Sequence, residues 1–295
     1  MTGASVDRMA GSVQTDSSQP GAGQTHRSPS DHGAGQKSAG PNVAAPRRRS
    51  RGFWYWLSYL RSLVITDNLI YLYTAALASI SLLGSFFDRD GRWQHGCARL
   101  WGRSILKTSG IRVRVEGLEN LSQGTMIFCV NHPSAADIPI LLACLPVQFR
   151  FLAKRELFQL PFLGWFLRRA GHISVERSRP HEARQSFEEA AQRIRQGTSV
   201  VLFPEGHRSR IAGEMLPFKT GSFHLAVRAG VPIVPITLNG TRYVHEPDTL
   251  HMRAGQTEMI IHPPIPTSGL TRDDVHQLSD RVRGVLLSRF VPGSG

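Results

Sequence analysis

Apolar positions follow two different rules along this chain. From residue 53 to 87, FWYWLSYLRSLVITDNLIYLYTAALASISLLGSFF, nearly every position is apolar or aromatic. From residue 111 onward, short β-branched runs alternate with longer stretches of helical period. The runs predict strands at 111–116, 126–130, 149–153, 172–176, 199–203, 233–238 and 257–262. The stretches between them predict helices at 135–145, 160–170, 180–196, 218–229 and 271–290. Alternation of this kind predicts an α/β domain with a largely parallel sheet flanked by helices. Ligand-handling groups are then expected just beyond strand C-termini.

The apolar run is too long for one span, which takes about 20 residues. Arg61 and Asp67 inside it also argue against a single long span. Thr66-Asp67-Asn68 is turn and cap chemistry. It predicts two helices of roughly 14 and 19 residues, the first only about 21 Å long at 1.5 Å per residue. Arginines flank the run on both sides, at 47, 48, 49 and 51 and at 89, 92, 99 and 103. Basic flanks place both ends on the cytoplasmic side, so the expectation is a two-helix membrane hairpin that dips into one leaflet. A hairpin of two full spans and a buried soluble helix pair are the alternatives. The Trp54-Tyr55-Trp56 cluster beside the arginines suits a membrane interface and counts against the soluble pair.

Residues 1–50 contain no Leu, Ile, Phe, Trp or Tyr and are rich in Gly, Ser, Pro, Gln and Ala. Such a segment cannot form a core and is expected to be a disordered tail. Without an apolar stretch after the initiator methionine it does not read as a signal peptide. The expected division is therefore a tail (1–50), a membrane-embedded hairpin (51–90) and an α/β domain (91–295).

The formal net charge is +13, with only four lysines among the 35 basic residues. This favours an anionic partner, whether phosphate headgroups, a nucleotide-bearing cosubstrate or nucleic acid. The three cysteines, Cys97, Cys129 and Cys144, lack metal-ligand spacing, and the odd number fits a reduced cytosolic compartment.

Two polar stretches follow predicted strands directly: NHPSAAD after 126–130 and FPEGHRSR after 199–203. One reading of the first is helix capping by Ser134 with Asp137, or by Asp137 alone ahead of Pro139. Capping leaves Asn131 and His132 without a purpose. The other reading is a polar dyad. Pro133 biases His132 towards extended geometry just outside the helix, and an aspartate in the first turn can fold back towards it. On a regular helix, five positions would separate the two by about 140°. A carboxylate on one imidazole nitrogen fixes the tautomer and frees the other nitrogen as a base. G-x-S-x-G, H-E-x-x-H and G-x-G-x-x-G are all absent. GEMLPFKTG is no phosphate loop, since Leu216-Pro217-Phe218 stands where the second glycine belongs.

Asn131-His132-Pro133-Ser134-(x)2-Asp137 resembles the N-H-x-x-x-x-D block of glycerolipid acyltransferases, specifically the 1-acylglycerol-3-phosphate acyltransferase family. Three more blocks follow in the family's order. Residues 154–177, with Lys154, a Pro-Phe-x-Gly turn, Gly171 and Arg177, resemble the second. Phe203-Pro204-Glu205-Gly206-His207-Arg208-Ser209 resembles F-P-E-G-T-R-S, with His207 in place of the usual threonine or serine. Residues 231–236, VPIVPI, resemble the last. The resemblance covers about residues 90–265.

It implies acyl transfer from a thioester, acyl-CoA or acyl carrier protein, to the free hydroxyl of lysophosphatidic acid. His132 would be the general base and Asp137 would orient it. Imidazole suits the task because it titrates near neutrality as a class. Arg208 would meet the acceptor phosphate with its planar fork, with Lys154 second and Arg177 third. Glu205 would bind the glycerol hydroxyl or hold Arg208, and Gly206 would permit a tight turn. The implied partners are a membrane lipid acceptor, the thioester donor and the membrane surface on its cytoplasmic face. Nucleic acid is not among them, and no metal or other cofactor is required. Rival readings are an acyltransferase for another lysolipid or lyso-aminolipid, a non-catalytic basic membrane-binding protein, and a lipid hydrolase. Cys129 lies three residues from His132 but belongs to an apolar run, which fits inert core better than a thiol–imidazole pair. His172 and His262 fall in strand patterns and are expected to be structural.

Overall fold

The computed structural model of the chain describes residues 52–88, 90–176, 180–209, 211, 213–245, 249 and 251–292. The expected tail, Arg89 and Arg177 lie outside these residues. Seven strands form a single sheet: β1 (Ile111–Glu116), β2 (Ile127–Val130), β3 (Arg150–Lys154), β4 (Ile173–Val175), β5 (Val200–Leu202), β6 (Ile233–Asn239) and β7 (Gly255–Ile261). Their order is β1-β7-β6-β2-β5-β3-β4. Every neighbouring pair is parallel except β6 with β7. The largely parallel sheet expected from the alternating pattern is present.

The register explains why β2 reads as an unbroken apolar run. Ile127 lies between Val200 on one side and Ile233 on the other. Ile127 and Cys129 join one core, Phe128 and Val130 the other, and all four are fully buried. A strand covered on both faces loses the polar alternation of a half-exposed one. The Phe128 face is covered by α3 (Arg92–Ser109) and α4 (Asp137–Cys144), through Ile105, Leu106, Ile140 and Leu141. The Ile127 face is covered by α6 (Pro180–Arg195), α7 (Gly221–Ala229) and α9 (Val275–Ser288), through Ala190, Ile194, Phe223, Leu225, Leu278 and Val282. The predicted helix at 160–170 is α5 (Leu163–Arg169), and its start is delayed by Phe162, which sits at φ 59°. A single short turn, α8 (Thr241–Val244), follows β6.

The N-terminal region departs from expectation. Thr66-Asp67-Asn68 does not turn the chain. Residues 53–84 are one continuous rod of α1 (Phe53–Arg61), a π-helical turn (Ser62–Thr66) and α2 (Asp67–Gly84). The polar triplet serves the π-turn instead. Asp67 N–H donates to Ser62 O, five residues back. Asn68 Nδ2 donates to the carbonyls of Leu63 and Val64, each at 2.9 Å, and Ser62 Oγ donates to Asp67 Oδ1 at 3.2 Å. Side-chain donors that satisfy loosened carbonyls let the helix continue through the bulge.

A helical hairpin does exist, but its second arm is α3, which the sequence reading took for a basic flank. The arms run antiparallel: Trp93 Nε1 donates to Ile80 O at 3.2 Å, and Trp101 Nε1 to Thr74 Oγ1 at 2.7 Å. The inner face of α2 joins the core through Ile70 and Tyr73. The rod also docks near its start, where Ser58 Oγ meets His251 Nε2 at 3.2 Å and Met252 N–H donates to Ser62 Oγ at 3.2 Å. Its outer face leaves Leu69, Leu72, Ile80, Leu83, Phe86 and Phe87 exposed.

Candidate active site

The end of β2 delivers Asn131 and His132 to the C-terminal edge of the parallel strands. Asn131 is clamped to β6, with its Nδ2 donating to Leu238 O at 3.0 Å and its Oδ1 accepting from Leu238 N–H at 2.7 Å. This explains the residue that capping alone left over. Pro133 ends the strand, and α4 begins at Asp137.

His132 Nδ1 donates to Asp137 Oδ2 at 2.7 Å. The same oxygen accepts Ser134 N–H at 3.0 Å. One carboxylate oxygen therefore meets both readings of the motif, closing the turn and orienting the imidazole. Ser134 Oγ accepts the N–H of Ala136, just before α4, at 3.2 Å and donates to His245 O at 2.7 Å. The Asp137 side chain is fully buried, whereas the His132 ring keeps 14% of its surface open. Its Nε2 is thereby left as the accessible acceptor. Asp137 Oδ1 is buried with no partner among the described residues, an orphan that concentrates negative charge beside the ring.

The stretch after β5 completes the site. Phe203 lies flat against His132, ring centroids 3.9 Å apart and planes 17° apart. Glu205 is buried, and both of its carboxylate oxygens are engaged by backbone N–H groups. Its Oε1 accepts His132 N–H at 2.7 Å and its Oε2 accepts Leu216 N–H at 2.8 Å. It ties the two motifs together. Burial raises its pKa above the usual carboxylate value, and the hydrogen bonds from His132 and Leu216 oppose that rise. Gly206 turns the chain at φ 79°, and a Cβ there would stand 3.0 Å from Lys219 Nζ. Lys219 thus lies across the Glu205–Gly206 turn, a cation that no sequence motif singles out; its one signal is its place in GEMLPFKTG, which is no phosphate loop. That stretch does return to the site, with Lys219 N–H donating to Pro204 O at 2.8 Å.

Arg208 is half-buried, and its side chain forms no ion pair or hydrogen bond with any described residue. Lys154 ends β3 at the same edge of the sheet, but its Nζ sits 2.8 Å from Glu156 in an exposed ion pair. Exposed pairs of this kind are weak. Arg177 is outside the described residues. Cys129 is fully buried and its thiol is pushed well up by burial, which withholds the thiolate a nucleophile needs. His172 Nδ1 accepts Phe151 N–H at 3.0 Å, and His262 Nε2 meets Thr237 Oγ1 at 2.9 Å. Both are structural contacts away from His132.

The Acyltransferase family model matches residues 112–239, which hold the His132, Phe203 and Arg208 stretches. Over 231 residues the chain is 32% identical to the 1-acyl-sn-glycerol-3-phosphate acyltransferase of Saccharomyces cerevisiae, covering 77% of this chain and 76% of that protein. It is 40% identical over 183 residues to 1-acyl-sn-glycerol-3-phosphate acyltransferase alpha of Homo sapiens, covering 61% of this chain. That match spans 64% of the human protein's length, just under two thirds. The fold is similar to the crystal structure of the 1-acyl-sn-glycerophosphate (LPA) acyltransferase PlsC from Thermotoga maritima. The TM-score is 0.66 at 26% identity, covering 78% of this chain and 94% of that one. The chain belongs to the 1-acyl-sn-glycerol-3-phosphate acyltransferase family.

Proposed function

We propose that the protein transfers an acyl group from acyl-CoA or acyl carrier protein to the free hydroxyl of lysophosphatidic acid, giving phosphatidic acid. The observation that carries this reading is the His132–Asp137 contact at 2.7 Å, with the imidazole partly open to solvent and the carboxylate buried. A hydroxyl attacks a thioester well only as its proton departs. His132 Nε2 takes that proton while the oxygen bonds to the thioester carbonyl carbon. Asp137 holds the imidazolium that results, and the face of Phe203 favours the same charge. The tetrahedral intermediate collapses, the C–S bond breaks, and the thiolate leaves with the proton from His132. No acyl-enzyme forms, and the only cosubstrate is the thioester.

Arg208 supplies the contact for the acceptor phosphate, because its side chain is half-buried and has no carboxylate partner among the described residues. Lys154 reaches the same phosphate by leaving Glu156, an exposed pair that costs little to open. Arg177 follows as a third cation from the second motif. Glu205 acts by positioning His132, and Gly206 by the turn that admits Lys219.

The acceptor is a membrane lipid, and the rod of residues 53–84 is the proposed anchor on the cytoplasmic face. Only 6% of its most apolar window is buried. Its inner side is docked along the domain at Ser58, Ser62, Ile70, Tyr73 and Thr74, and the Ile80 carbonyl accepts from Trp93. A helix fixed to the domain along its length cannot cross a bilayer without taking the domain in, which supports a rod lying in one leaflet. Leu160, Phe162, Leu163 and Trp165 form a further exposed apolar group. The deciding experiment is an acyl-transfer assay of the purified full chain against a panel of lysolipids, with both CoA and carrier-protein donors. Phosphatidic acid formation that exceeds transfer to other lysolipids supports the proposal. A preference for a lyso-aminolipid overturns the acceptor assignment.

A further inference from the structure

At the edge of the sheet opposite His132, where β3 and β5 begin, lies a cavity of about 340 Å³. Its walls include Arg150, Arg169, Arg193, Gly171, Gln148 and Ser199. Arg150 is only 7% exposed, and its guanidinium donates to backbone carbonyls alone: Phe149 O at 3.0 Å, Asp90 O at 2.8 Å and Gly91 O at 3.1 Å. Arg193 Nη2 donates to Gly171 O at 2.9 Å. Arg169 donates through Nε to Ser85 Oγ at 3.0 Å and through Nη2 to Ser85 O at 2.7 Å. None of the three forms an ion pair with a described carboxylate.

The carboxylates at the rim are already engaged. Asp88 accepts from the N–H groups of Trp93 and Asp90, and the Asp90 side chain faces solvent beside Arg92. The cations converge on one spot. A Cβ on Gly171, which sits at φ 75°, would stand 3.0 Å from Arg150 Nε and 3.5 Å from Arg193 Nη2. Arg150 Nε, Arg193 Nη1 and Arg169 Nη1 have no acceptor among the described residues. Burial pulls down the pKa of both Arg150 and Arg193; for Arg150 the charge of Arg193 adds to the effect and that of Asp88 opposes it. The neighbouring imidazoles, His95 and His172, stay neutral.

We infer that this cavity is a second anion site, built for a phosphate group and separate from the acceptor contact at Arg208. Clustered guanidiniums with N–H donors to spare, and no described carboxylate paired with them, match a phosphate-type anion with several acceptor oxygens. Two sources carry that chemistry. One is free phosphate or pyrophosphate. The other is an anionic lipid headgroup, since Arg169 is tied to Ser85 at the end of the apolar rod, next to exposed Phe86 and Phe87.

The test uses the full chain in neutral detergent, titrated with inorganic phosphate and pyrophosphate at constant ionic strength while the melting temperature is followed. A second arm measures flotation with phosphatidylcholine vesicles, with and without phosphatidylglycerol. Arg193→Gln is the diagnostic variant, Gly171→Ala fills the cradle, and Arg281→Gln on the exposed face of α9 is the charge control. Arg150 is left intact because it holds the 90–91 turn. A free-phosphate site predicts a saturable stabilisation whose apparent Kd weakens at least about ten-fold in Arg193→Gln, the loss of one charge-assisted bond. A headgroup site predicts that phosphatidylglycerol-dependent flotation falls in Arg193→Gln and Gly171→Ala. In either case Arg281→Gln behaves as wild type and acyl-transfer turnover is unchanged in Arg193→Gln. Equal responses of wild type and Arg193→Gln in both arms overturn the inference.

Discussion

The ring of Phe203 lies face to face with the imidazole of His132, centroids 3.9 Å apart. With Asp137 holding one edge of the ring and Phe203 one face, His132 has a single orientation. Such pairs are worth about 0.5–1.5 kcal/mol beyond burial, and a π-face favours the imidazolium over the neutral ring. Phe203→Leu keeps the apolar volume and removes the face. It is expected to lower kcat by about two- to ten-fold, the kinetic equivalent of that energy. KM for both substrates should hold. An unchanged kcat would mean that Phe203 is packing alone.

The outer face of the rod predicts how the protein partitions. Leu72, Leu83 and Phe87 are 68%, 68% and 92% exposed. Glutamates there disturb no internal packing, yet each removes about 1.5–3 kcal/mol of apolar burial from a lipid-facing side chain. Leu72→Glu/Leu83→Glu/Phe87→Glu should move the protein from the membrane pellet towards the supernatant with its melting temperature nearly unchanged. Retention in the pellet would place the anchor elsewhere.

Two buried imidazoles set an acid limit. Burial, reinforced by Arg150, lowers His95 to about 4 and His172 to about 3. Unfolded histidines titrate near pH 6.5. Above that pH both states are neutral and stability is insensitive to these groups. As pH falls from about 6.5 towards 4, the unfolded chain binds protons that the fold excludes. Stability then drops by up to about 1.4 kcal/mol per pH unit for each histidine. His172→Gln keeps an acceptor for Phe151 N–H and should roughly halve the slope of unfolding midpoint against pH between 6 and 4.5. A slope equal to wild type would assign the acid sensitivity to other groups.

The acceptor phosphate is assigned to Arg208. Arg208→Ala should raise KM for lysophosphatidic acid and leave KM for the thioester nearly unchanged. Arg208→Lys should recover only part of the loss, because an ammonium keeps the charge without the bidentate fork. Equal discrimination by mutant and wild type between phosphorylated and unphosphorylated acceptors would remove Arg208 from that role.

Much of the fold was legible because its signals are local. β-branched runs such as 233–238 and the turn after each mark seven strands, and the structure places a strand at every one. What was not legible depends on long-range partners. Thr66-Asp67-Asn68 carries turn chemistry, but the same donors can bridge a π-turn, and only docking on Met252 selects the second outcome. α3 is not legible because its arginines read as a basic flank, although its other face carries Trp101, Ile105 and Leu106 into the core. Spacing and the following proline left a His132–Asp137 pair open beside helix capping, and the family resemblance chose the pair. Glu205 could not be assigned, since its partners are backbone N–H groups 73 and 11 residues away. Lys219 is brought to Gly206 by a loop whose path no sequence pattern states.

The central claim is that His132 is the base, and turnover measures it most directly. His132→Ala and Asp137→Asn are assayed with lysophosphatidic acid and an acyl thioester at saturation, alongside acceptor binding and melting temperature. His132→Ala is expected to lower kcat by roughly 10²–10⁴ while acceptor binding and stability persist. Asp137→Asn should also be slow, because the amide no longer holds the reactive tautomer. A His132→Ala protein that is folded and turns over within a few-fold of wild type would contradict the account.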